Sequence, residues 1–135
     1  MTDLTPVEMI QRNAELVIET MNRRGAHLNY DLQSVQWIDG YIERQREHNP
    51  SHEANIDGLT NTLGSFLGEC IRRQFGGEWV ETQYGWAIQF DDKNACFPFN
   101  KVEKQLKNGA DDSIASFYGT IPVVFKNALR KDDNP

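Results

Sequence analysis

The chain has 135 residues, of which 39% are hydrophobic and 25% charged, and this is the size and composition of one folded domain. Such a composition excludes wholesale disorder and collagen-like repeats. No apolar run reaches the roughly 18 residues of a membrane span, and the N-terminus lacks the pattern of a signal peptide. We therefore expect a cytoplasmic protein without a membrane segment.

The charge is negative and unevenly distributed. Fourteen Lys and Arg against twenty Asp and Glu give a net charge of -6. Residues 1–58 carry ten acids and five arginines, whereas residues 93–107 carry four lysines and Glu103 alone. A net negative charge disfavours general attraction to nucleic acid or anionic lipid and favours a partner with a basic surface.

Residues 1–75 are predicted to form a helical layer of three helices. The first begins after Thr5, which with Glu8 has the pattern of a capping box. The second begins near Asp31, and the third covers about 51–75. Gly64 and Gly68 lie four apart beside the apolar stripe of the third helix, so another part of the backbone is expected to approach closely in a tight packing contact there.

Residues 76–99 are predicted to form a β-meander. The apolar period changes from about four to two after Gly76, which predicts short strands at 79–81, 86–90 and 95–97, joined by turns at 84–85 and 91–94. An antiparallel sheet of three to four strands follows from this pattern.

Residues 100–130 are predicted to form two C-terminal helices that complete the core. Asn100 is expected to cap the first, and Asp112 the second, which would reach Leu129 with a kink or interruption at Pro122. Residues 131–135 are expected to be a frayed tail. The predicted fold is thus a single α+β domain in which N-terminal helices pack on a small antiparallel sheet.

Several short motifs in the second half of the chain fit together. They are Gly76-Gly77-Glu78-Trp79, Gly85, Phe97-Pro98-Phe99-Asn100-Lys101-Val102, Asn108-Gly109, Asp112-Ser113 and Phe117-Tyr118. This pattern resembles a group of small, largely uncharacterised bacterial α+β domains. The resemblance covers about half of the chain and implies an α+β fold and a bacterial source, without a catalytic assignment.

The candidate binding residues lie around the first hairpin. It carries three aromatic residues close in sequence to a charged cluster at the end of the third helix. Trp, Tyr and Arg dominate binding hot spots because they bury a large area and keep a directional polar group. Packing of Trp79 in the core is the alternative. The candidate set, with a lysine from the C-terminal part, is Glu69, Arg72, Arg73, Trp79, Tyr84, Trp86 and Lys101.

Other chemistry has weaker patterns. His48 and His52 are four apart, but the Pro50 between them disfavours a helix, so two solvated histidines are expected rather than a metal site. Cys70 and Cys96 lack a catalytic signature and are expected to be buried free thiols. The basic stretch 93–107 also contains Phe97 and Phe99, and aromatics beside lysines occur in some single-strand binders. Four lysines on an acidic chain nevertheless make nucleic acid a poor candidate.

These features favour a non-catalytic module that binds another protein and needs no cofactor. One concrete version is a bacterial immunity-type protein that neutralises a toxin with a basic surface through charge complementarity. The alternative is a small-molecule-binding domain or minor hydrolase, whose pocket between helices and sheet would use Glu69, Arg72 and Lys101. The sequence leaves the oligomeric state open.

Overall fold

The computed structural model describes residues 3–48 and 53–129, with the backbone only at 53 and 54. Its elements follow the chain as α1 (Pro6–Arg23), α2 (Leu32–His48), α3 (Glu53–Phe75), β1 (Glu78–Thr82), β2 (Gly85–Gln89), β3 (Ala95–Cys96), α4 (Pro98–Asn108) and α5 (Ile114–Val124), with a 3₁₀ turn at Ala110–Asp112. The fold is α+β and mostly helical, with three strands in the described residues.

The first two helices begin where the sequence predicts. Thr5 caps α1: its hydroxyl accepts from the Glu8 N–H at 3.1 Å, and the Glu8 carboxylate accepts from the Thr5 N–H at 2.9 Å. The Asp31 carboxylate accepts from the Ser34 N–H at 2.9 Å at the start of α2. The predicted start of the third helix at residues 51 and 52 lies outside the described residues.

The sheet is an antiparallel meander with strand order β1-β2-β3. Gly76 and Gly77 follow α3 with φ of 93° and 91°, a left-handed conformation that turns the chain from helix into β1. In the hairpin, Trp79 pairs with Ile88 and Thr82 with Gly85. The turn residues are 83 and 84, one position before the predicted turn, because Gly85 already belongs to β2.

The N-caps predicted for the two C-terminal helices were both wrong. The first C-terminal helix, α4, begins at Pro98 rather than after Asn100, because proline suits the first helical position. Ser113 rather than Asp112 caps α5, and its hydroxyl accepts from the Ser116 N–H at 3.1 Å. The preceding aspartate belongs to the 3₁₀ turn.

The last helix is shorter than predicted. Pro122 lies inside α5 and does not interrupt it there, since the helix continues to Val124. Residues 125–128 form turns instead of continuing the helix to Leu129. The predicted tail at 131–135 lies outside the described residues.

The third helix is the centre of the packing. It lies against α1 on one side and α4 on another, α2 packs mainly on α5, and both α3 and α4 contact β2. Of the N-terminal helices, α3 therefore covers the sheet. Fully buried core side chains come from helices and sheet alike: Val35, Ile38, Ile42, Phe66, Leu67, Cys70, Ile71, Ile88, Val102, Ile114 and Ile121.

The close contact predicted at the two α3 glycines is present. A Cβ atom at Gly64 would lie 2.9 Å from the Cα of Phe99, and one at Gly68 would overlap the Trp79 ring. The rings of Trp79 and Phe99 in turn pack against each other with centroids 5.7 Å apart. The two glycines thereby let α4 and β1 approach α3 and fix where the end of α3 lies.

Candidate binding surface

A buried carboxylate organises the end of α3. The Glu69 side chain is 0% exposed. Its oxygens accept from Arg72 Nε at 2.8 Å and Nη2 at 3.0 Å, from Arg73 Nε at 3.2 Å, and from the Trp79 indole N–H at 2.9 Å. Four N–H donors satisfy this carboxylate, as a buried charge requires.

These donors keep Glu69 ionised. Burial raises the pKa of its carboxyl group, but hydrogen bonds from Arg72 and Trp79, with the charge of Arg72, outweigh burial and lower the pKa from 4.5. Glu69 also raises the pKa of Arg72. One negative and two positive groups therefore coexist, and the cluster has a local charge of about +1 at neutral pH.

An aromatic ring fixes the second arginine. The Arg73 guanidinium carbon lies 3.7 Å from the ring centroid of Tyr30, which lies between α1 and α2. Tyr30 in turn stacks on the buried Phe66, with centroids 6.1 Å apart. The Arg72 side chain is 32% and the Arg73 side chain 43% exposed. The cluster thus presents two oriented guanidinium groups to solvent.

The predicted site residues divide between this cluster and other places. Glu69 and Trp79 are buried and hold the arginines from inside, whereas Tyr84 is 72% exposed at the hairpin tip. Trp86 is half-buried opposite Glu81 in the hairpin. The sequence does not predict a role for Tyr30, because no local pattern links it to Arg73, which lies 43 positions later.

Lys101 belongs to a second feature. Its Nζ lies 4.7 Å from the ring centroid of Phe117, and it lines a cavity of about 430 Å³ between α4, α5 and β3. Neither Glu69 nor Arg72 lines this cavity. The three residues of the predicted pocket between helices and sheet are therefore not brought together there.

A polar network ties three helices together behind these features. The Asp39 carboxylate of α2 accepts from the Ala115 N–H at 3.0 Å, from the Ser113 hydroxyl, and from Gln105 Nε2 at 3.1 Å. The buried Gln105 also accepts from the Ile114 N–H at 2.8 Å. This network fixes α5 against α2 and α4. Its bonds to Asp39 join residues 66 to 76 positions apart, so no local pattern predicts them.

The two cysteines are buried free thiols, as predicted. Burial raises the pKa of Cys70, and it raises that of Cys96 to about 12 despite the opposing effect of Lys101. Both thiols are protonated at neutral pH, and a protonated thiol is a poor nucleophile.

The described part of the chain has neither a metal-binding group of side chains nor a membrane-spanning helix. There, no three His, Cys, Asp or Glu side chains are grouped to hold a metal ion. His48 is exposed at the end of α2, and His52 lies outside the described residues. Among the described helices, none combines the length and hydropathy needed to cross a membrane.

Comparisons with known proteins add nothing to what the geometry of the site indicates. No protein-family model, curated protein or solved structure matches the chain.

Proposed function

We propose that the chain is a non-catalytic protein-binding module and that its partner contacts Arg72 and Arg73. The observation that carries this proposal is the buried Glu69 carboxylate, which holds both guanidinium groups at the surface through their Nε atoms. Arginine loses rotamer entropy when it binds, and a side chain that is already oriented loses less. The pair is therefore well suited to be a binding hot spot.

The contacts within the cluster indicate the chemistry of the partner. Among the described residues, Glu69 engages Nε and Nη2 of Arg72 but only Nε of Arg73, so the remaining Nη donors are left for a partner together with the excess positive charge. A carboxylate of the partner would complete them with bidentate geometry. The exposed Tyr84 at the hairpin tip provides a further aromatic contact on β1–β2.

The overall charge supports a more specific version. A chain of net charge -6 attracts a basic protein at long range. A bacterial immunity-type protein that neutralises a basic toxin would use this attraction for fast association and the arginine pair for a local contact with an acidic residue of the toxin. Size and charge support this version, and its bacterial source is what the resemblance to small bacterial domains implies.

The test is affinity capture from the native cell with three forms of the chain: wild type, R72Q/R73Q and R23Q/R24Q. The control pair Arg23 and Arg24 are also adjacent arginines at a helix end, and both are exposed. The two double variants have the same net charge. We expect a protein that wild type and control enrich equally and that R72Q/R73Q enriches at least tenfold less.

Two outcomes contradict the proposal. Equal enrichment by all three forms would show that the arginine pair is not in the interface. The absence of any enriched protein would contradict the proposal that the chain is a protein-binding module. Circular dichroism of each variant ensures that a loss of capture is compared between folded chains.

A further inference from the structure

The cavity that Lys101 lines has two chemically different sides. Aromatic and aliphatic side chains form one side, where Phe97, Phe117, Val124 and Phe125 meet. Lys101 and Lys104, one helical turn apart on α4, form the other side with Asn100. Its volume of about 430 Å³ falls within the range of roughly 300 to 1,000 Å³ typical of small-molecule sites.

Within the described part of the chain, the two lysines have no counter-charge at ion-pair distance. Among the described residues, no carboxylate lies within ion-pair distance of Lys101 or Lys104, whereas Lys107 on the next turn pairs with Glu103 at 3.4 Å. The Phe117 ring holds the Lys101 ammonium group at the cavity. A ligand anion would therefore meet cations that no acid of the described chain neutralises.

The apolar side extends to the surface. Val124, which lines the cavity, is 65% exposed although it belongs to α5. Large aliphatic side chains at the rim of a concave apolar site lose contact with water when a ligand covers them. The favoured ligand therefore has an apolar body longer than the enclosed part of the cavity.

We propose that this cavity binds a small amphipathic carboxylate, with its apolar body against Phe117 and Val124 and its carboxylate at Lys101 and Lys104. A monoanion responds mainly to charges within the Debye length of about 8 Å. The acid between the two lysines, Glu103, is paired with Lys107, so Lys101 and Lys104 dominate the local charge. A nucleic acid would instead meet the net charge of -6. Moreover, only one of the two aromatics of segment 93–107, Phe97, lines the cavity, because Phe99 packs against Gly64 and Trp79.

The test is a ¹⁵N–¹H NMR titration with octanoate, using octylammonium and 1-octanol as ligands of equal chain length and different charge. We expect octanoate to shift the amide signals of residues 95–104 and 117–125, and octylammonium to leave them unchanged. K101M/K104M should weaken octanoate binding at least tenfold. R23M/R24M removes the same charge from side chains that do not line the cavity and should bind as wild type does.

A second variant separates the cavity from its charge. Thr120 is exposed and lines the cavity, so T120W fills the apolar side while both lysines remain. We expect this variant to lose octanoate binding. Equal binding of all three octyl compounds, shifts confined to other regions, or unchanged binding by K101M/K104M or T120W would each overturn the proposal. Since none of these variants alters Arg72 or Arg73, its failure leaves the protein-binding proposal standing.

Discussion

Glu69 shows how one residue can serve a surface from within. The sequence placed Glu69 and Trp79 in the candidate site, and the structure puts both beneath it, where they orient the exposed arginines. The inward position of Trp79 could not be deduced from the strand pattern alone. Because side chains alternate between the two faces of a strand, Trp79 lies on the same face as Glu81, and neither face of β1 is clearly apolar.

The first prediction concerns this buried charge. E69Q replaces an acceptor of four N–H groups with an amide that cannot carry the charge, and it should lower the free energy of unfolding by about 2 kcal/mol at pH 7. Urea denaturation measures this change. E15Q is the matched control, because Glu15 also pairs with an arginine three positions away but both side chains are about half exposed; it should cost at most about 1 kcal/mol.

The same variant has a predicted pH dependence. The folded-state pKa of Glu69 is lowered, so its stabilisation is fully present above 4.5 and is lost as the pH falls through the lower folded-state value. The difference between wild type and E69Q should therefore be constant from pH 6 to 8 and become smaller at pH 3. A difference that grows on acidification would contradict the assignment of an ionised, hydrogen-bonded carboxylate.

At the scale of the elements, helices were more predictable than their ends. Each of α1, α2 and α3 has a long apolar stripe, which a 3.6-residue period reveals without knowledge of the partner element. The starts of α4 and α5 were misplaced because two residues compete at each end: Pro98 with Asn100, and Ser113 with Asp112. Local propensity does not decide between neighbours that can both begin a helix.

The α3 glycines give a prediction at this scale. G64A and G68A place a Cβ against Phe99 and Trp79 respectively, so each should lower the free energy of unfolding by roughly 1–3 kcal/mol. Gly58 lies in the same helix with open space around it, and G58A should instead raise stability by up to about 1 kcal/mol. Urea denaturation of the three variants measures both signs, and stabilisation by all three would disprove the close packing of α3.

At the scale of the whole molecule, the sequence predicts the fold class but not the way in which the elements assemble. Composition and apolar period predict an α+β fold, but the assembly depends on contacts between distant residues. Asp39 of α2 holds the start of α5, and Tyr30 between α1 and α2 holds Arg73 of α3. Both contacts arise only after the helices pack, so the sequence identified the arginines and Glu69 but not Tyr30, which also orients Arg73.

The net charge of -6 also has a clearer meaning at this scale. The acidic background would attract the proposed basic partner at long range, whereas the two cationic features, the arginine pair and the Lys101 cavity, are local. Charge alone would make any two arginines equivalent. Contacts with Glu69 and Tyr30 distinguish Arg72 and Arg73 from the exposed pair Arg23 and Arg24.

The most direct measurement is the Kd of the captured partner at 0.15 M salt for wild type, R72K/R73K and R23K/R24K. Lysine keeps the charge but lacks the Nε–H group that donates a hydrogen bond to Glu69. It also lacks the planar guanidinium with which Arg73 contacts the Tyr30 ring. We predict that R72K/R73K raises the Kd at least tenfold and that R23K/R24K leaves it unchanged. Equal Kd values for all three would show that charge alone matters and would contradict the account.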